Sequence, residues 1–136
     1  MQSAGKALCD AGPLVALFDP GDAAHARCRT ALNAFDGRLL TTWPVLTEVA
    51  HFLSGFQQLR LWDFVLTGGL LVADLLSNDV ARLRTLTAKY ADLPMDLADA
   101  SLVIIAERLG IRMIFTLDAH FHAYRLHGKR SFRVFP

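Results

Sequence analysis

Four acidic residues of this chain sit in or beside apolar segments, where an ionised side chain is costly. Asp10 closes Ala7-Leu8-Cys9, Glu48 lies within Val45-Leu46-Thr47-Glu48-Val49-Ala50, Asp99 opens Ala100-Ser101-Leu102-Val103-Ile104-Ile105, and Asp118 follows Met113-Ile114-Phe115-Thr116-Leu117. Carboxylates brought within about 4 to 6 Å of one another repel and shift their pKa values upward unless a cation neutralises them. A fold that gathers these four therefore makes a metal pocket. Whether they meet depends on the elements that carry them.

Those elements alternate between strand and helix. Ala7 to Cys9 reads as a short buried strand, Pro13 to Phe18 as a short helix, and Asp19-Pro20-Gly21-Asp22 as a turn. A helix from about Ala23 to Phe35 sets Ala24, Cys28, Ala31, Leu32 and Phe35 at helical spacing and ends at Gly37. Arg38 to Thr42 reads as the second strand. Pro44 suits the first turn of a helix to about Leu53, with Ser54-Gly55 as its stop. A helix over Gln57 to Leu66 stops at Gly68-Gly69, Leu70 to Ala73 is a third strand, and Ser77 is placed to cap a helix from Asn78 to Tyr90. Asp96 to Leu109 is the best-defined helix, ended by Gly110, and strands follow at Met113 to Leu117 and Phe132 to Phe135.

Strands separated by helices predict an α/β fold with a parallel sheet covered on both faces, and such sheets bind ligands beyond the carboxyl ends of their strands. Asp10 and Asp118 lie at those ends and share one crevice if their strands are neighbours. Glu48 shares a helix face with Pro44, Val45, His51 and Phe52, and Asp99 shares one with Met95, Asp96, Leu102 and Val103, so both are expected to point inward.

Each acid also has a purely architectural reading. Asp10 suits a turn ahead of Gly12-Pro13, and Asp118 suits the cap of a short helix around His120 to Arg125. Asp96 and Asp99 suit an N-cap and a first-turn acid. Asp74 also ends an apolar strand without being assigned a role, so a strand-end acid alone is a weak signal. Glu48 is the hardest to explain architecturally, as one of only two glutamates, on a helix face that otherwise buries.

With 136 residues, 53% hydrophobic and 20% charged, the chain suits one domain over residues 1–136. No apolar run approaches the roughly 18 to 20 residues of a membrane span, and Met1 to Lys6 carries no visible secretory signal, so the cytoplasm is expected. Cys9 and Cys28 fall in a strand and a helix and read as reduced core thiols. A net charge of +1 excludes a chain that is basic throughout, although Arg125, Lys129, Arg130 and Arg133 around His127-Gly128 suggest either a phosphate-attracting edge near Asp118 or a solubilising tail. Phosphate loops of the Walker or Rossmann type and paired zinc-ligand spacings are absent from the sequence.

The segments Leu8-Cys9-Asp10-Ala11-Gly12-Pro13-Leu14-Val15-Ala16-Leu17-Phe18-Asp19, Thr47-Glu48-Val49-Ala50, Met95-Asp96-Leu97-Ala98-Asp99-Ala100-Ser101-Leu102-Val103 and Phe115-Thr116-Leu117-Asp118-Ala119-His120-Phe121 resemble, in order, the successive motifs of PIN-domain nucleases, most of all VapC-like toxins of prokaryotic toxin-antitoxin pairs. The resemblance runs from about Leu8 to Pro136. It implies a three-layer sandwich around a five-stranded parallel sheet and a magnesium- or manganese-dependent endoribonuclease. It also implies an RNA substrate, a cognate antitoxin and a homodimer; the large apolar residues Phe56, Leu59, Trp62 and Phe64 suit such a dimer, and ordinary core packing explains them as well or better. The motif acids fall on Asp10, Glu48, Asp99 and Asp118, with Asp96 as a further acid of this subgroup. Thr116 stands at the family's Ser or Thr position, able to hydrogen-bond water or phosphate, or to serve only as a β-branched strand residue. His120 replaces a further acid that many relatives carry. A non-catalytic binding module and a metal-dependent enzyme acting on other phosphates are the alternatives, and cleavage that disappears with chelator separates the first of them from the nuclease.

Overall fold

A computed structural model describes residues 5–136. Among them a five-stranded parallel sheet has the order β3-β2-β1-β4-β7, from β1 (Lys6–Cys9), β2 (Arg38–Thr42), β3 (Leu70–Ala73), β4 (Met113–Phe115) and β7 (Arg133–Phe135). The central strand β1 pairs with β2 on one side and with β4 on the other. Its residues Ala7, Leu8 and Cys9 are fully buried, which requires cover on both faces of the sheet and explains why the segment is apolar without alternation. That cover comes from α1 (Ala11–Phe18), α2 (His25–Ala34), α3 (Trp43–Phe52), α4 (Gly55–Leu66), α5 (Val80–Lys89) and α6 (Leu97–Leu109). Helix α1 packs against α2, α3 and α4, while α6 packs against α3 and α5.

Helix α6 is buried almost all round, from Ala98 to Ala106, so its sequence shows little amphipathic contrast. Asp96 caps its start and Gly110, at φ +69°, closes it in the left-handed conformation that glycine adopts most cheaply. Near its end Glu107 takes two hydrogen bonds from Arg82, at 2.9 and 2.7 Å, and one from the His127 N–H at 2.6 Å. These bonds fasten the small antiparallel pair of β5 (Arg125–Leu126) and β6 (Arg130–Ser131) to the body of the fold.

Several boundaries differ from the sequence expectation, each for a local reason. Helix α1 begins at Ala11, two residues before Pro13, because Asp10 caps it and proline is tolerated in a first turn. Ser54 does not stop α3; its side chain accepts from the Gln57 N–H while Gln57 accepts from the Ser54 N–H, a capping box that starts α4. Ser77 likewise does not cap a long helix. Ser77–Asp79 is a single 3-10 turn, and the Asp79 carboxylate accepts from the Leu76 N–H before α5 starts at Val80. The fourth strand ends at Phe115 because the next backbone N–H, that of Thr116, is followed by a side-chain-directed turn into Asp118.

Asp74 accepts from Trp43 Nε1 at 3.0 Å. Both cysteines are buried and free. Among the described residues no helix is long and apolar enough to cross a membrane. Replacing Gly110 by Ala forces a Cβ into left-handed backbone and is expected to cost about 1 kcal/mol, lowering the melting temperature by about 3 °C; an unchanged melting curve would contradict this account of the α6 terminus.

Candidate active site

Because β1 and β4 are parallel neighbours, their carboxyl ends deliver Asp10 and Asp118 side by side, and the first turn of α6 brings Asp99 against them. One carboxylate oxygen from each of the three lies within 4.8 Å of the others. The cleft they share, about 460 Å³, is also lined by Glu48, Asp96 and His120, with Ala11, Gly12, Pro94 and Leu117 as its remaining walls. A larger groove of about 640 Å³ lies elsewhere, against Phe35, Met113, Phe135 and Pro136, and holds none of these acids.

The architectural and chemical readings of these acids turn out to be the same arrangement. Asp10 Oδ1 accepts from the Ala11 N–H at 2.8 Å and starts α1, while its Oδ2 accepts from the Thr116 hydroxyl at 2.7 Å. Asp118 Oδ1 accepts from the His120 N–H at 2.9 Å, capping the short turn Ala119–His122. Asp96 Oδ1 accepts from the Asp99 N–H at 2.8 Å. Asp99 Oδ2 accepts from the Asp96 N–H at 3.4 Å and from the Tyr124 hydroxyl at 3.2 Å. A carboxylate offers about four lone-pair directions, so each of these bonds orients the group while leaving capacity toward the cleft.

The electrostatics follow from burial first and from crowding second. Burial raises the Asp10 carboxyl, with Asp118 and Asp96 adding to the effect and the Thr116 and Ala11 hydrogen bonds opposing it. Burial, reinforced by Asp96 and Asp10, pushes Asp99 up to about 7. Glu48 also rises to about 7, first through burial and then through the Asp96 carboxyl beside it. Burial and the facing Asp99 push the Tyr124 phenol upward too, so it stays protonated and donates.

The geometry refines three of the sequence readings. Glu48 faces the cleft but stands outside the tight group of Asp10, Asp99 and Asp118. The buried stripe of its helix is Val45, Leu46 and Val49, whereas His51 and Phe52 are exposed, so Glu48 sits on the rim and not against the sheet. Thr116 is buried, and its hydroxyl donates to Asp10 and accepts from the Asp118 N–H at 3.0 Å, so it holds two acids in place. The basic residues near the C-terminus do not flank Asp118. Arg133 pairs in register with Met113, and Arg112 Nε donates to Ser131 O at 3.2 Å, so Arg130 and Arg133 sit at the opposite end of β4 with Lys129 in the adjoining turn. Arg125 donates to the carbonyls of His122 and Tyr124.

His120 is half-exposed at the mouth, its Nδ1 3.4 Å from Asp118 Oδ1. His25 contacts Ala16 O at 2.6 Å and serves packing. Tyr124 was not foreseen: six residues beyond Asp118 with no periodic pattern between them, it carries no local signal of contact with Asp99.

Without a cation, folding leaves Asp99 and Glu48 protonated up to about pH 7, whereas the unfolded chain releases those protons near the ordinary 3.8 and 4.5. The folded state therefore binds more protons across that window, and stability falls as pH rises through it. Asp79, bonded to Arg108, and Glu107, whose burial is outweighed by Arg82, are held low and act below the window. The melting temperature of metal-free protein is expected to drop from pH 5 to pH 7.5, with a shallower drop in Asp99→Asn; a profile flat or rising over that range would contradict the crowding.

No family model matches the chain. A curated relative, Ribonuclease VapC26 of Mycobacterium tuberculosis (strain ATCC 25618 / H37Rv), is 27% identical over 134 residues, covering 95% of this chain and 99% of that protein. The crystal structure of Mycobacterium tuberculosis VapC20, described as a sarcin-ricin loop cleaving toxin, superposes with a TM-score of 0.77 at 17% identity, over 85% of this chain and 92% of that one. The second likeness establishes the fold. Likeness along almost the whole chain, the shared fold and the ordered acidic motifs all point the same way: the chain is similar throughout to VapC ribonucleases of the PIN-domain kind.

Proposed function

We propose that this protein is a metal-dependent endoribonuclease, the toxin of a toxin-antitoxin pair, formed by a single domain over residues 1–136. The observation that carries the reading is the meeting of Asp10, Asp99 and Asp118 oxygens within 4.8 Å at the carboxyl end of the sheet. The donor set fits a hard divalent cation: it is all oxygen, anionic, and open on one side to a cleft. Magnesium, or manganese in its place, would be held by Asp10, Asp99 and Asp118. When bound there, such an ion neutralises the carboxylates, polarises a phosphoryl oxygen and lowers the pKa of water.

The chain's own residues supply the rest. Thr116 and the first-turn N–H of α1 fix the Asp10 carboxylate, and the capping pair Asp96–Asp99 fixes the start of α6. Glu48, on the rim of the cleft beside Asp96, is placed to act as a further ligand or to orient water. His120, at the mouth, is placed to meet the substrate backbone. An RNA phosphodiester is the substrate class that the relatives' activity supports, since one is a ribonuclease and the other cleaves the sarcin-ricin loop.

An antitoxin protein and a second copy of the chain are the partners we propose. Both are supported by Phe52, Phe56, Leu59 and Leu66, which leave large apolar surfaces exposed along α3 and α4, while Leu61, Trp62 and Phe64 turn toward the core.

Asp10→Asn preserves side-chain shape and the Ala11 cap while removing charge. It is expected to reduce magnesium-dependent cleavage of an oligoribonucleotide by at least about 100-fold with an unchanged far-ultraviolet spectrum. Cleavage by Asp10→Asn at the wild-type rate, or wild-type cleavage that survives chelator, would overturn the proposal.

A further inference from the structure

Tyr124 is fully buried, on the segment that leaves the short turn after Asp118. Its ring is held edge-on by Tyr90 and by Phe121, each at a centroid separation of 5.0 Å. Tyr90 is itself fixed, because its hydroxyl accepts from the Arg125 N–H at 2.9 Å, next to Tyr124 in the chain. A ring gripped on two sides has little freedom to swing, and its hydroxyl ends 3.2 Å from Asp99 Oδ2.

Both hydrogen bonds that reach the Asp99 carboxylate, from Tyr124 and from the Asp96 N–H, fall on Oδ2. Among the described residues no hydrogen bond reaches its Oδ1, which is left to the cleft. Phenylalanine would fill the same space; what tyrosine adds is one polar atom, and a buried phenol needs a partner. The partner it meets is an acid of the cleft.

We propose that Tyr124 is a positioning residue that sets Asp99 for cation binding. It does not touch the ion. It holds the carboxylate in one orientation and donates to the charged form, as the outer partners of metal ligands do. The proposal rests on reading Asp10, Asp99 and Asp118 as the metal site.

Two variants of the same aromatic cluster test it. Tyr124→Phe removes the hydroxyl on Asp99, and Tyr90→Phe removes a hydroxyl that meets only backbone. Manganese binding to RNA-free protein is read from loss of the free Mn2+ electron paramagnetic resonance signal. Tyr124→Phe is expected to weaken Mn2+ affinity by about tenfold, while Tyr90→Phe stays within about twofold of wild type. In cleavage assays the Mn2+ concentration for half-maximal rate should rise by a similar factor for Tyr124→Phe, with KM for RNA and the rate at saturating Mn2+ held. Equal Mn2+ affinity in wild type and Tyr124→Phe would overturn the proposal and leave the metal site standing. A wild type that binds no Mn2+ would overturn both, and equal losses in the two variants would reduce Tyr124 to a packing role.

Discussion

The structure turns on crowding of carboxylates at the carboxyl ends of β1 and β4. Two charges 4.8 Å apart at an effective dielectric near 20 repel by about 3 kcal/mol, and solvent at the partly exposed Asp118 reduces that for its pairs. An N-cap hydrogen bond contributes only about 1 kcal/mol. Caps can aim these acids, but they cannot hold three of them ionised together. Protons must be taken up or a cation must enter, and burial together with the neighbouring acids raises Asp10, Asp99 and Glu48 in the direction of proton uptake.

The fold makes the crowding possible by using each acid twice. Asp10 begins α1, Asp96 begins α6, and Asp118 begins the turn that returns the chain toward Tyr124. Every one of these starts lies beyond the carboxyl end of a strand or beside it, where helix amino termini converge and favour negative charge. Thr116 joins two of the acids from within the strand end, bonding the carboxylate of one and the backbone of the other. The same hydrogen bonds that terminate secondary structure thus set the direction of the side chains that meet in the cleft.

How much of this the sequence carried depended on how local each signal was. Strands β2 and β3 appear with the expected bounds because apolar runs meet clear punctuation at Gly37 and at Gly68-Gly69, and α6 is legible from its Asp96 start and Gly110 end. Ser54-Gly55 reads as a stop, but serine before glycine can also start a helix, and the reciprocal bond with Gln57 shows that it does. The hairpin of β5 and β6 was invisible: two-residue strands have no period, and this one is secured by distant partners, Glu107 and Arg112. Of the two readings open for the basic residues, an edge near Asp118 relied on closeness in sequence, but the chain reverses before Arg130 and Arg133 and carries them to the other end of β4. The motif acids were readable in order, whereas the graded distances that leave Glu48 on the rim, and the contact of Tyr124 with Asp99, arise only from packing.

The central claim is that Asp10, Asp99 and Asp118 hold a divalent cation between them. Anomalous diffraction from crystals grown at neutral pH with manganese tests it most directly. The account predicts a peak bounded by these three carboxylates, and a peak at other residues with this cleft empty would contradict it.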